Sequence, residues 1–241
     1  MHRLLSLCIL CPALLTAWGA DVQSLVTTLM DEERELKGVP FREVVFAATG
    51  KRVLPLDATN AHDRELVVRI GRALDGVLVK FNAPGGPAKA KRRINEMSAL
   101  FEAALKAELN AIPGFECDFP KLASGAHQRS GYPDLRLVDE KTGRVLYLDP
   151  KLYERGGRAS SLRTFYFEPR RETNKILDDA HHLIIGIEHD GQTGAWKLLN
   201  WELVDLANFR VKLKAEFQAS NRELYLPEAI IATSRTNSQT R

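Results

Sequence analysis

The stretch YPDLRLVDEKTGRVLYLDPKLY, residues 132–153, constrains the fold of this chain more than any other. DEKTG, residues 139–143, is a strong turn signal between two apolar runs of strand character, so the segment reads as a β-hairpin. A turn centred between Lys141 and Thr142 pairs Val138 with Val145 and places Asp134 opposite Asp149. Like charges facing each other at about 5 Å across a sheet are destabilising, so something must offset the cost. A divalent cation does so most simply, because two converging carboxylates make a Mg²⁺ site that leaves room for water and phosphate. Lys151, two residues beyond Asp149, shares its face by the strand period. Two carboxylates on a metal with a lysine beside them can orient a water, deprotonate it and neutralise charge building on a phosphate. The bland alternative is a charged strand end with no chemistry, since both dipeptides are common.

The elements around the hairpin follow from hydrophobic periodicity. Val22, Leu25, Val26 and Leu29 recur at helical spacing, and Gly38 stops that pattern. FREVVFAATGKRVLPLD, residues 41–57, reads as strand-like with a turn at Thr49 and Gly50. Residues 61–81 read as a second helix ending at NAPGGP, the clearest linker in the chain. Beyond it, residues 88–112 predict a long amphipathic helix with Ile94, Met97, Phe101, Ala104, Leu105 and Leu109 on one face. FECDFP, the two hairpin arms and HHLIIGIEHDG predict strands. Part of residues 165–181 and the stretch 206–225 predict helices.

This order describes an α/β fold, a mixed central β-sheet flanked by helices, with an N-terminal helical extension. The expected organisation is a signal peptide over 1–20, a helical region over 21–86, the main domain over 87–231 and a disordered tail over 232–241.

At this point the residues resemble a known family. Pro133-Asp134 and Asp149-Pro150-Lys151 are similar to the signature of the PD-(D/E)XK nuclease superfamily, whose fold is that of type II restriction endonucleases. The resemblance runs from about Lys91 to Asp190 and rests on a short, degenerate motif. It implies a restriction-endonuclease-like core and hydrolysis of DNA phosphodiester bonds with Mg²⁺, or Mn²⁺ in its place. Asp134 and Asp149 would be metal ligands, Lys151 would activate water or stabilise the transition state, and the Pro150 carbonyl remains free to face the metal.

The family also draws a glutamate from the first core helix. Taking Ile94 as zero at about 100° per residue, Glu96 falls opposite the apolar face, Glu108 within it near the helix end, and Glu102 at its edge. Glu102 is therefore the expected third carboxylate, a catalytic assistant and metal ligand. A homodimer, with the terminal helices as its interface, is a further implication of the family.

KAKRR, ERGGRASSLR and PRRETNK bracket the hairpin. Lys and Arg among Ser, Thr and Gly donors suit phosphate contacts, and Arg155, Arg158, Arg163 and Arg171 are the expected DNA-backbone contacts. His181 and His182, adjacent on a strand, point to opposite faces and do not suit a shared metal. A net charge of +3 permits a polyanionic partner without requiring one. The alternative reading is a non-catalytic DNA-binding or protein-interaction module that keeps this fold.

The first twenty residues have a basic start at Arg3, an apolar run from Leu4 to Leu15, and a small-residue end at Gly19 and Ala20. That layout predicts a cleaved export signal and a periplasmic or secreted protein with no stable membrane anchor afterwards. If it is not a signal, a cytoplasmic location follows. Cleavage would leave Cys117 alone, so no disulfide could form within the mature chain.

Overall fold

The computed structural model describes residues 17–30, 37–89, 94–160, 164–214 and 216–232, with side chains from Val22 onward except that of residue 95. Gly38–Val211 form one unit, and the segments before and after it form another. In the flanking unit the described residues include the helix α1 (Ala17–Met30), the one-turn helix α5 (Asn221–Leu224), which opens on a Ser220–Glu223 capping box, and a 3₁₀ turn over Pro227–Ala229. No helix of the described residues is long and apolar enough to cross a membrane.

The larger unit is built on a six-stranded mixed sheet. It contains β2 (Val53–Leu54), β3 (Phe115–Asp118), β4 (Leu135–Asp139), β5 (Arg144–Glu154), β6 (Ala180–His189) and β7 (Leu198–Asp205). The hydrogen-bonded order is β2-β6-β5-β4-β3. β3, β4 and β5 run as an antiparallel meander, and β5 and β6 are parallel. β2 pairs in parallel with the start of β6, and β7 pairs antiparallel along its remainder. A two-stranded ladder of β1 (Val39–Pro40) and β8 (Arg210–Val211) closes the ends of the unit.

Two helices cover one face of the sheet. Asn60 caps α3 (Ala61–Asn82) by accepting from the backbone N–H groups of His62 and Asp63. α3 buries Leu66, Ile70, Leu74, Val77 and Phe81, and α4 (Asn95–Asn110) buries Met97, Phe101, Leu105 and Leu109 at the predicted spacing. Their stripes meet where Phe81 and Phe101 cross edge to face, with ring centroids 5.6 Å apart. Both rest on Leu135, Leu137, Leu146, Leu148, Leu183, Ile185 and Ile187. NAPGGP, expected to separate two regions, therefore joins two helices of one core.

Three expectations about local structure are corrected. Residues 41–49 form helix α2 (Phe41–Thr49), not a strand. Strand alternation would have put Glu43 on the same face as Phe41 and Val45. The helical i, i+4 spacing buries Phe41 and Val45 and leaves Glu43 in solvent. Gly50, at φ 71°, ends α2 by donating its N–H to the Phe46 carbonyl.

The described residues between Thr164 and Asp179 contain no helix. Phe165 and Phe167 both pack edge-on against Phe41, at 5.3 and 5.8 Å between centroids, and two residues so spaced reach one ring from extended backbone. Of the predicted closing helix over 206–225, the single turn of α5 is the α-helical part among the described residues. Asp205 accepts from the Ala207 N–H to cap a 3₁₀ turn, Phe209 enters the aromatic cluster, and Arg210–Val211 become β8. Pairing with β1 consumes backbone groups that a helix would need.

Candidate active site

The hairpin register is the predicted one. Leu135 pairs with Leu148, Val138 with Val145 and Asp139 with Arg144. The turn holds because Asp139, 2% exposed, accepts from Thr142 Oγ1 at 2.5 Å and from Arg69 Nη1 at 3.1 Å, while its carbonyl accepts from the Gly143 N–H. Gly143 sits at φ 69°, a conformation L side chains rarely adopt. With that end fixed, Asp134 lies at the mouth of β4, across from Asp149.

Val145, Tyr147, Asp149 and Lys151 alternate along one row of β5, and the lysine turns to the two aspartates. Lys151 Nζ stands 2.5 Å from Asp149 Oδ2 and 3.7 Å from Asp134 Oδ2. Asp149 is 1% exposed. Burial first, and then the like charge of Asp134, push its carboxyl up to about 7. Burial alone would lower the Lys151 ammonium, but the charges of Asp149, Asp134 and Glu102 outweigh it and hold the group above the ordinary lysine range. Lys151 is thus a cation.

Glu102, on α4, lines the same cleft of about 290 Å³ together with Ile94, Ser98, Asp134, Pro150, Lys151, Leu152 and Thr164. Its carboxylate is held by Arg129 at 2.5 Å, and the Arg129 guanidinium also lies over the Phe119 ring. Burial, then the neighbouring Asp134, raises the Glu102 pKa, with Arg129 opposing. Helix phase separates the three glutamates of α4. Glu96 is exposed, and Glu108 is turned to Lys80 on α3.

Among the described residues, no three His, Cys, Asp or Glu side chains converge closely enough to enclose a metal by themselves. Mg²⁺ does not require that, since it is commonly held by one or two carboxylates with water and substrate phosphates completing its octahedron. Asp134 and Asp149 meet that need. The buried Asp149 Oδ2 has its ion pair to Lys151 but no well-directed hydrogen bond, so its lone pairs are not fully used. The donor set fits a small, hard divalent cation.

Of the four arginines, Arg155 and Arg158 extend from the end of β5 and the following turn, largely exposed, with Glu188 at 3.9 Å and Glu202 at 3.0 Å. Arg171 is exposed in the irregular segment. Arg163 lies outside the described residues, as do residues 1–16 of the expected export signal. His182 Nδ1 is 2.7 Å from the Tyr132 hydroxyl, and His181 Nδ1 is 3.1 Å from the Leu54 carbonyl, so the two rings are separated as the strand period requires.

Two further residues near the cleft carry no sequence signature for such a place. Arg129, in the loop before the hairpin, carries no motif of its own. In the sequence Lys175 is one more member of the basic run PRRETNK. It is instead 2% exposed, with its ammonium among the backbone carbonyls of Arg129, Gly131 and Pro133. The available signal was its place beside Ile176 just before the most apolar strand.

Comparison with known proteins identifies relatives of this chain. A protein of Methanocaldococcus jannaschii, the type II restriction enzyme MjaV, is 28% identical over 221 residues, which cover 88% of this chain and 94% of that protein. Residues 34–228 match the type II restriction enzyme MjaV family, and this span contains the hairpin, both helices and the whole sheet. The chain belongs to the type II restriction enzyme MjaV family.

Proposed function

We propose that this protein is a Mg²⁺-dependent endonuclease that hydrolyses DNA phosphodiester bonds through a PD-(D/E)XK site. Membership of a type II restriction enzyme family supports DNA as the substrate. The observation that carries the catalytic part is a single lysine ammonium shared by two carboxylates at the edge of a cleft.

Asp134 and Asp149, with the Pro150 carbonyl, would hold the cation. When bound, it supplies Lewis-acid polarisation of the scissile phosphate and a lowered pKa for its water. Lys151, already a cation, hydrogen-bonds the attacking water and offsets negative charge growing on the phosphate oxygens, rather than acting as the base that removes the proton. Glu102, with its raised pKa, stands at the cleft wall where it can accept a proton from the water network. Arg155, Arg158, Arg163 and Arg171 bind the DNA backbone. The glutamates beside Arg155 and Arg158 make exposed ion pairs of small net energy, which a phosphate can replace.

Incubation of DNA with the purified protein in Mg²⁺, in Mn²⁺ and in chelator tests this reading. Cleavage is expected with either metal and none in chelator. Binding without cleavage under all three conditions would favour a non-catalytic DNA-binding module.

A further inference from the structure

We infer that Lys175 is a positioning residue for Asp134, fixing the loop that delivers this carboxylate beside β5, the strand that carries Asp149 and Lys151. The inference rests on the functional reading above.

Lys175 Nζ lies 2.6 Å from the Gly131 carbonyl, 3.2 Å from that of Pro133 and 3.3 Å from that of Arg129. An ammonium has three N–H donors and no acceptor, so three carbonyls use its whole capacity. Lys175 therefore has no donor left for a DNA phosphate unless the loop is released. It ties together the residues on the N-terminal side of Asp134, which precedes β4 and is outside the sheet ladder that pins Leu135 onward. Without another anchor, Asp134 would ride on a loop.

The anchor is itself held from both sides. The Asn174 side chain accepts from the Ile176 N–H and donates to the Ile176 carbonyl, and the Asn174 carbonyl accepts from the Ala123 N–H. The Tyr147 hydroxyl accepts from the N–H groups of Leu177 at 2.9 Å and Asp178 at 3.3 Å, and donates to Asp178 Oδ2 at 2.8 Å. Tyr147 is buried on β5, two residues before Asp149 on the same row. Hydrogen bonds thus run from β5 through Tyr147, the 174–178 segment and Lys175 to the loop carrying Asp134. The ammonium also balances the charge of the two aspartates. Burial lowers its pKa, and Asp134 and Asp149 oppose that shift.

The test is a calorimetric titration of Mn²⁺ into the DNA-free full-length protein, for wild type, Asp134→Ala and Lys175→Met. It is run below the melting transition of each, alongside steady-state cleavage. Outer groups that orient metal ligands typically change affinity by about 10- to 100-fold, so folded Lys175→Met is expected to bind Mn²⁺ at least about tenfold more weakly. Its kcat falls while its KM for DNA stays near wild type, because Lys175 has no donor to offer DNA. A purely structural role would lower the melting temperature and leave the Mn²⁺ affinity of the folded protein unchanged. If wild type binds Mn²⁺, Asp134→Ala does not, and folded Lys175→Met binds like wild type, the inference is overturned while the functional reading stands. If wild type binds no Mn²⁺, or Asp134→Ala binds as tightly as wild type, both fall. Should Lys175→Met fail to fold, Gly131→Ala carries the test. Gly131 sits at φ +85° with open space around a new Cβ, so alanine strains the loop and shifts the 2.6 Å carbonyl without a clash. The same loss of Mn²⁺ affinity is expected there, and wild-type affinity overturns the inference.

Discussion

Lys151 Nζ lies 2.5 Å from Asp149 Oδ2, on a carboxylate that is 1% exposed, and the same ammonium is 3.7 Å from Asp134 Oδ2. A buried acid, a like-charged neighbour and one cation between them form a strongly coupled group. Such groups serve poorly as stability devices, because desolvation offsets much of the Coulomb gain. Their chemistry is what makes the cluster informative.

Lys151→Ala and Asp149→Ala are each expected to lower the cleavage rate by at least about 10²- to 10³-fold, the loss typical of removing one preorganised charge-stabilising group. Circular dichroism should show both folded. Full activity in either variant would remove these residues from the mechanism.

Asp149 also sets a pH dependence of stability. Its folded pKa is raised from 3.8 to about 7 by burial and then by Asp134, so the native state binds this proton more tightly than the unfolded chain. The contribution is complete below the unfolded value and is lost as pH rises through the folded one. In chelator, the melting temperature of wild type should therefore fall relative to Asp149→Asn between about pH 4 and pH 7, then hold a constant offset. The Lys151 shift, upward from an already high value, acts only in more alkaline solution. A difference independent of pH across this window would contradict the buried charge.

Metal binding should stabilise the folded protein in proportion to occupancy. At about 100 times the dissociation constant a ligand specific for the native state adds about 2.7 kcal/mol. Thermal scans in Mg²⁺ should show an upward shift for wild type, reversed by chelator and absent in Asp134→Ala. An equal shift in the variant would place the cation elsewhere.

Phe41 lies in a second cluster of buried residues, with Val45, Tyr132, Tyr147 and Ile176. Its ring is fully buried and meets Tyr132, Phe165, Phe167, His182 and Phe209 with centroids 5.3 to 6.2 Å away. Phe41→Ala should cost about 3–5 kcal/mol in chemical denaturation. A loss under about 1 kcal/mol would mean that α2 is not anchored this way.

We also propose that the first twenty residues are an export signal. Cleavage after Gly19 or Ala20 would fall within the first turn of α1. N-terminal sequencing of the natural protein is expected to read from Ala20 or Asp21. A start at Met1 or Met30 would refute export and favour a cytoplasmic enzyme.

The hairpin was legible in the chain itself because its determinants are local. A polar turn with glycine at its end and two apolar arms set the register, and the register brings Asp134, Asp149 and Lys151 together. The α3 segment was legible as a helix and the stripe of α4 as a 3.6-residue period on one face, and that phase singled out Glu102. Tertiary structure decided what local pattern leaves open. Phe41 and Val45 suit a strand or a helix, and the aromatic cluster selected the helix. Phe165 and Phe167 could have joined a helix but were drawn out straight onto the Phe41 ring. Lys175 looks like any surface lysine until three carbonyls from a loop some forty residues earlier are folded around it. Which partner satisfies a buried charge depends on contacts between distant segments, and no periodicity within either segment records them.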